Sequence, residues 1–415
     1  MDIVDARAVS GCIIRGARVV TPGKDLGVID VRIAGGFITA VGGGDGRAAG
    51  DETIDAGGLT LLPGFVDIHS HGRGGSDFCD ATDAAFTKIG TGKLEDGVTG
   101  FLATGLTRPE AELAEMCRAA ERYKARGEGA VCLGIHLEGP FFNRSMAGAQ
   151  NPGYLKDPDA AMVMRLDAVS PVKKVSLAPE LEGAEECIRK LVAAGIVVSG
   201  GHSAADYATF ERAREAGMTH LTHFCNAMMP AHHLRPSMVT GGFLADDVYV
   251  EIITDGVHLS DPMIKVIAKL KGPDRLMLIT DAMCAAGEPD GIYNLGGMKV
   301  KVEGGRATLA DVPYDPNAVV SNVAGSVALF PDCLRRFARV TGWPLHEVIK
   351  AAGFNQLRSL GISDRGEIAV GQAADLVLVD DDLSPVVTVT GMQPPSYLRN
   401  RLVPRPRCAR ECSWR

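Results

Sequence analysis

Between Gly64 and Asp281 the chain alternates short apolar runs with amphipathic segments, and that alternation restricts the fold more than any other feature. The runs are GFVDIH, VTGFLAT, AVCLGIHLE, VKKVSLAP, GIVVSGGH, THLTHF, VYVEIITD and RLMLITD. Segments such as PEAELAEMCRAAERYKARG, GAEECIRKLVAAG and YATFERAREAG separate them, each with a polar face and a glycine stop. Eight strands joined by helical crossovers predict an α/β fold, a (β/α)8 TIM-type barrel, in preference to a sandwich or a Rossmann sheet. No GxGxxG or Walker loop opens a helix, so nucleotide binding has no support.

The two ends of the chain read differently. Residues 1–60 carry strand-like runs (CIIRGARVV, VIDVRIAGGFITAVG, ETIDAGGLTLLP) divided by turn glycines, and the pattern returns in RGEIAVGQAADLVLVD and VVTVTG. The expected organisation is a small β-sandwich built from residues 1–60 and 363–398, flanking a barrel over 61–362. Residues 399–415, with six arginines plus Cys408 and Cys412, read as a disordered basic tail.

A length of 415 residues suits a large barrel with an appendage, and 46% hydrophobic against 23% charged residues is ordinary globular composition. The net charge of -8 gives no reason to expect nucleic acid or an anionic membrane as partner. The start, MDIVDARAVSGCIIRG, lacks the basic and apolar regions of a signal peptide, and no apolar stretch is long enough to span a bilayer. Ten cysteines without a CxxC read as reduced thiols, so a cytoplasmic enzyme is expected.

Barrel enzymes carry their chemistry at the C-terminal ends of the strands. Those ends here bear His69 and His71 on the first strand, Glu138 on the third, His202 on the fifth, His223 on the sixth and Asp281 on the eighth. Side chains two apart on a strand point the same way, so both imidazoles of the HxH pair can reach one ion. Alone, HxH reads equally well as two surface histidines beside a turn. Six metal-competent side chains at five strand ends point to a metal site, and imidazole with carboxylate suits zinc, iron(II), manganese or cobalt.

The stretches PGFVDIHSHG, GIHLEGPF, GAQNPGY, GGHS, THFCNAM, DGVHLS and LITDAM run in order across residues 63–283. In them the chain resembles the amidohydrolase superfamily and, within it, the N-acetylglucosamine-6-phosphate deacetylase family. HLEGPF with THFCNAM is specific to that family, whereas HxH marks only the superfamily. The paired terminal β segments also match, so the resemblance covers nearly the whole chain.

The resemblance implies a role for each matching residue. Glu138, His202 and His223 match the principal metal ligands, and His69 with His71 would supply a second position bridged by Glu138. One or two divalent ions are therefore implied, zinc or iron first, manganese or cobalt also acceptable. Asp281 matches the catalytic acid/base. Ala149 and Gln150, Asn226 and Ala227, His258, and Ala324 with Gly325 match substrate-contacting stretches, and Arg235 matches the phosphate-binding arginine. A homodimer is also implied.

The residue types fit the chemistry independently. A divalent ion generates hydroxide from water at neutral pH, a carboxylate relays the proton to the departing amine, and a guanidinium suits a phosphate. Two features depart from the family pattern. Gln150 stands in GAQNP where family members commonly carry histidine; it can donate a hydrogen bond to an oxyanion but cannot carry a charge. His232 and His233 precede Arg235 and read as loop or substrate-facing residues. The expected reaction is deacetylation of N-acetylglucosamine 6-phosphate. Alternatives are N-acetylgalactosamine 6-phosphate, an N-acyl-D-amino acid or a cyclic amide such as a hydantoin; a barrel without catalysis would show a broken ligand set, and this set is complete.

Overall fold

A computed structural model of the chain describes residues 1–7, 11–43, 51–312, 315 and 322–391. The basic segment 399–415, with Cys408 and Cys412, lies outside these residues. Eight parallel strands form the barrel: Phe65–Asp67, Val98–Gly105, Val131–Glu138, Val172–Leu177, Val197–Gly200, His220–Leu221, Tyr249–Ile252 and Leu276–Leu278. They pair in sequence order, and each falls on one of the eight apolar runs, the second extending one residue past its run to Gly105. The first and last strands meet through the Asp281 N–H, which donates to the His69 carbonyl at 2.9 Å.

Helices cover the outer faces, so the strands are buried on both sides. All eight residues of Val98–Gly105 and of Val131–Glu138 are buried. The helices start and stop where their sequences dictate. Glu110–Arg126 ends at Gly127, whose φ of 66° is the left-handed conformation that closes a helix without a Cβ clash. Tyr207–Ala216 opens on Asp206, whose side chain accepts the Thr209 N–H, and ends at Gly217 with φ 113°. The barrel core gathers Phe65, Phe101, Ile135, Val175, Leu221 and Leu278 with helix residues such as Met116, Ile188 and Phe337.

Both termini build one further sheet. Asp2–Asp5 pairs in parallel with Pro385–Thr390, Cys12–Thr21 pairs with Lys24–Ala34, and Thr60–Pro63 joins Cys12–Thr21 to Leu376–Val379. The sheet closes over a core of its own that includes Ile14, Val19, Val31, Leu61, Leu376 and Val389. An element not foreseen from the sequence follows the eighth barrel strand: Gly291–Leu295, Met298–Glu303 and Arg306–Leu309 form an antiparallel sheet. It packs Leu295, Val300 and Ala307 onto Leu106 and Met283 and so walls one side of the barrel mouth.

Candidate metal centre and active site

The six residues read from the strand ends converge at the C-terminal mouth, none more than 7% exposed. Glu138 is their centre. Its Oε1 lies 3.2 Å from His202 Nε2, 3.1 Å from His223 Nε2 and 3.3 Å from His69 Nε2. Its Oε2 lies 3.1 Å from His71 Nε2. Two donor groups result, Glu138–His202–His223 and His69–His71–Glu138, with the carboxylate shared. Asp281 Oδ1 stands against the second group, 3.3 Å from His69 Nε2 and 3.2 Å from His71 Nε2.

The backbone at these positions is strained. His202 (φ 47°), His223 (φ 29°) and Asp281 (φ 50°) all occupy the left-handed region. For non-glycine residues that costs on the order of 1 kcal/mol or more each and persists only where the surroundings dictate it. Neighbouring amides supply the constraint: Asn143 N–H donates to the His202 carbonyl at 3.1 Å, Asn226 N–H to that of His223 at 2.9 Å, and Ser326 N–H to that of Asp281 at 2.8 Å.

The charges show what the site lacks in protein atoms alone. Burial opposes a proton on His69, but the charges of Glu138 and Asp281 outweigh it and lift the imidazole to about 9. His71 is also raised well above its ordinary value: burial again opposes, and hydrogen bonds to Asp281 and Glu138 prevail. Burial likewise disfavours the ionised Glu138, yet the His69 charge and the imidazoles of His202 and His223 hold it well below the usual carboxylate range. Asp281 is lowered as well, against its burial, chiefly by His69 and His71. Two buried carboxylates thus draw positive charge into the site.

A divalent cation fits that demand. Nε2 of His202 and Nε2 of His223 lie only 3.0 Å apart, both turned to the same Glu138 oxygen. Ligands held at zinc–nitrogen distances in a tetrahedron stand about 3.3 Å apart, close to the spacings here. The imidazole and carboxylate donors are those of a borderline divalent ion.

A cavity of about 60 Å³ opens above these donors. Besides the donors it is lined by Ala149, Gln150, Asn226, Ala227, His258 and Gly325, with Leu106, Leu295 and Val323 as an apolar side. His258 is held by Asp255, Nδ1 to Oδ2 at 2.8 Å. Ala324 does not reach the cavity; it is buried beneath it, against the three-stranded sheet. Arg235 is not brought to the wall either and is exposed on the loop leaving Asn226, where His232 and His233 stack on each other. A larger surface groove of about 740 Å³ beside the barrel holds Arg73, Lys88 and Arg126, but Arg73 is paired to Asp96 and Arg126 to Asp83. No reactive group converges there.

Gln150, expected as a donor to a reacting oxygen, has both ends of its amide engaged. Its Oε1 accepts the Thr107 N–H at 2.8 Å and its Nε2 donates to Glu138 Oε2 at 2.5 Å.

Three residues beneath the site were not singled out from the sequence. Glu251 and Lys174 form a fully buried ion pair that reaches His69. His136 lies between Thr104 and Ser176, both its nitrogens satisfied by hydroxyls, with its ring 4.6 Å from that of His69. Their signal was present: each is a charged or ionisable residue inside a run that reads as a parallel strand, Glu251 in YVEI, Lys174 in VKKVSL and His136 in VCLGIHLE.

The amidohydrolase family is matched over residues 60–399. An N-acetylglucosamine-6-phosphate deacetylase from Bacillus subtilis is 37% identical over 337 residues, covering 79% of this chain and 83% of the relative. An N-acetylgalactosamine-6-phosphate deacetylase from Escherichia coli O157:H7 is 33% identical over 375 residues, covering 89% and 96%. Among solved structures, an aspartate-to-alanine mutant of N-acetyl-D-glucosamine-6-phosphate deacetylase from Mycobacterium smegmatis, in complex with N-acetyl-D-glucosamine-6-phosphate, is similar with a TM-score of 0.84 and 33% identity, covering 92% of this chain and 98% of that one.

Proposed function

The chain belongs to the amidohydrolase family and, within it, to the N-acetylglucosamine-6-phosphate deacetylases, and from that membership we propose that it hydrolyses the acetamide of N-acetyl-D-glucosamine 6-phosphate to acetate and D-glucosamine 6-phosphate. The observation that carries the reading is the convergence on Glu138, with four imidazole nitrogens within 3.3 Å of one carboxylate and Asp281 beside them.

Glu138, His202 and His223 would hold the principal divalent ion, and His69 with His71 a second that shares Glu138. Zinc or iron(II) suits these donors first, manganese or cobalt also. When bound, such an ion supplies Lewis acidity to a water and to the amide carbonyl.

The chain's own residues do the rest. An acetamide resists hydrolysis because its nitrogen leaves only after gaining a proton. Asp281, kept ionised despite its burial, accepts the proton of the attacking water and delivers it to that nitrogen. The burial of the donors and of Gln150 keeps the reacting amide away from bulk solvent. Asn226, Ala227, His258, Gly325, Ala149 and Gln150 surround the N-acetyl end, and Ala324 supports their wall from below. Arg235 is assigned the phosphate, for which a planar guanidinium offers paired donors. The reading includes a cytoplasmic homodimer; the eight described cysteines, all free thiols, support a reducing compartment.

N-acetylgalactosamine 6-phosphate is the second reading, favoured by the Escherichia coli relative that this chain covers over 96% of its length. Acetate release by the zinc- or iron-loaded protein from both sugar phosphates separates the two. The proposal expects the higher kcat/KM with the gluco sugar; a clear preference for the galacto sugar transfers the assignment, and release from neither overturns both.

A further inference from the structure

Glu251 and Lys174 stand in the interiors of the seventh and fourth barrel strands, both 0% exposed. Charged groups there are costly to desolvate and persist where each has a defined partner. Lys174 Nζ donates to Glu251 Oε1. The other oxygen, Oε2, lies 3.1 Å from His69 Nδ1 and 3.4 Å from the backbone N–H of His223.

Paired with an ammonium, Glu251 is a carboxylate and only accepts hydrogen bonds. His69 must therefore carry a proton on Nδ1, and Nε2, 3.3 Å from both Glu138 and Asp281, is the nitrogen left to give up its proton to an ion. The other candidate ligand imidazoles lack this support. His202 Nδ1 meets the Met146 carbonyl at 2.9 Å, and Nδ1 of His71 and of His223 have no hydrogen-bond partner among the described residues. Among the candidate ligands, carboxylate backing at Nδ1 is thus confined to His69, in the second donor group, within the described residues.

We propose that Glu251, itself held by Lys174, is the positioning residue of the second metal site, fixing the tautomer and ring orientation of His69, while it meets the Glu138–His202–His223 group only through the His223 backbone N–H and no ligand side chain there. The inference rests on the two-ion reading above. Outer partners of this kind commonly change metal affinity by about 10–100-fold. A glutamine at 251 presents an NH2 as readily as a carbonyl, so it no longer selects the Nδ1–H tautomer.

The test is calorimetric titration of the chelated full-length protein with Zn²⁺ alone, for the wild type, Glu251→Gln, and the double variant Lys174→Met/Glu251→Gln. The double variant removes the buried charge left behind, so a folded protein is available if the single variant melts. The expected result is a first equivalent bound within about twofold of the wild type and a second weakened by about 10–100-fold, with a matching loss of second-site absorption when Co²⁺ replaces zinc. A second equivalent bound with wild-type affinity overturns the inference, as does equal weakening of both. A wild type that binds a single equivalent instead removes the two-ion reading, and this inference with it.

Discussion

Gln150 is tied to Glu138: its side-chain N–H donates to Oε2 of the shared carboxylate at 2.5 Å, while its own carbonyl is held by the Thr107 N–H at 2.8 Å. The Thr107 bond fixes which end of the amide faces the carboxylate. Glu138 Oε2 is also the oxygen nearest His71 Nε2, so Gln150 bears on the second donor group. Gln150→Ala is expected to weaken the second zinc equivalent and to lower kcat by about 10–100-fold, in the range of outer-partner effects. Zinc calorimetry with steady-state kinetics checks it; a variant with a raised KM but intact metal affinity and kcat would limit Gln150 to its place in the substrate wall.

Asp281 carries the proton in this account. Asp281→Asn keeps the shape and cannot accept a proton, so acetate release should fall by about 10²–10⁴-fold, the usual worth of general acid–base catalysis. The Glu138–His202–His223 group does not include Asp281, so one equivalent of metal should remain by elemental analysis. Turnover within tenfold of wild type would remove Asp281 from the mechanism.

Arg235 makes no contact with the cavity wall but is exposed on the loop that leaves Asn226. If it receives the phosphate, Arg235→Ala should raise KM for the phosphorylated sugar by about tenfold or more, given the strength of charge-assisted pairs. KM for the unphosphorylated sugar should barely move. Equal changes for both substrates would dismiss the assignment.

The chelated protein should become less stable as pH rises. Burial opposes a proton on His69, Glu138 and Asp281 overcome it, and the folded value stands at about 9 against an ordinary 6.5. A folded value above the unfolded one gives stability that is full below about pH 6.5 and lost as pH climbs through about 9. Differential scanning calorimetry of the chelated protein should show Tm falling by a few degrees across that window. The zinc-loaded protein should change less, because its cation replaces those protons. A level profile for the chelated protein would contradict the charge balance inferred around Glu138.

The barrel was legible because its signals are local. Each strand announces itself by an apolar run, and each candidate ligand sits within four residues of a strand end, as Glu138 and Asp281 do. The motifs around them added the family, which the comparisons support. What stayed hidden depends on packing between distant segments. Lys174 and Glu251 are 77 residues apart and look like ordinary charged residues until the closed barrel puts them face to face. The hairpins of Gly291–Leu309 have short, half-polar strands that do not stand out from loop sequence, and their apolar residues find partners outside the hairpins, among them Leu106, Met283 and Ala324. Gln150 was visible as a departure, but its engagement with Glu138 follows from how its loop folds over the third strand.

The most direct test of the whole account is acetate release from N-acetylglucosamine 6-phosphate before chelation, after chelation and after a divalent ion is restored, in the wild type and in Glu138→Gln. The account predicts that chelation abolishes wild-type turnover, that zinc or iron(II) restores it, and that the variant is inactive under every condition. Undiminished turnover in the chelated wild type, or in Glu138→Gln, would contradict it.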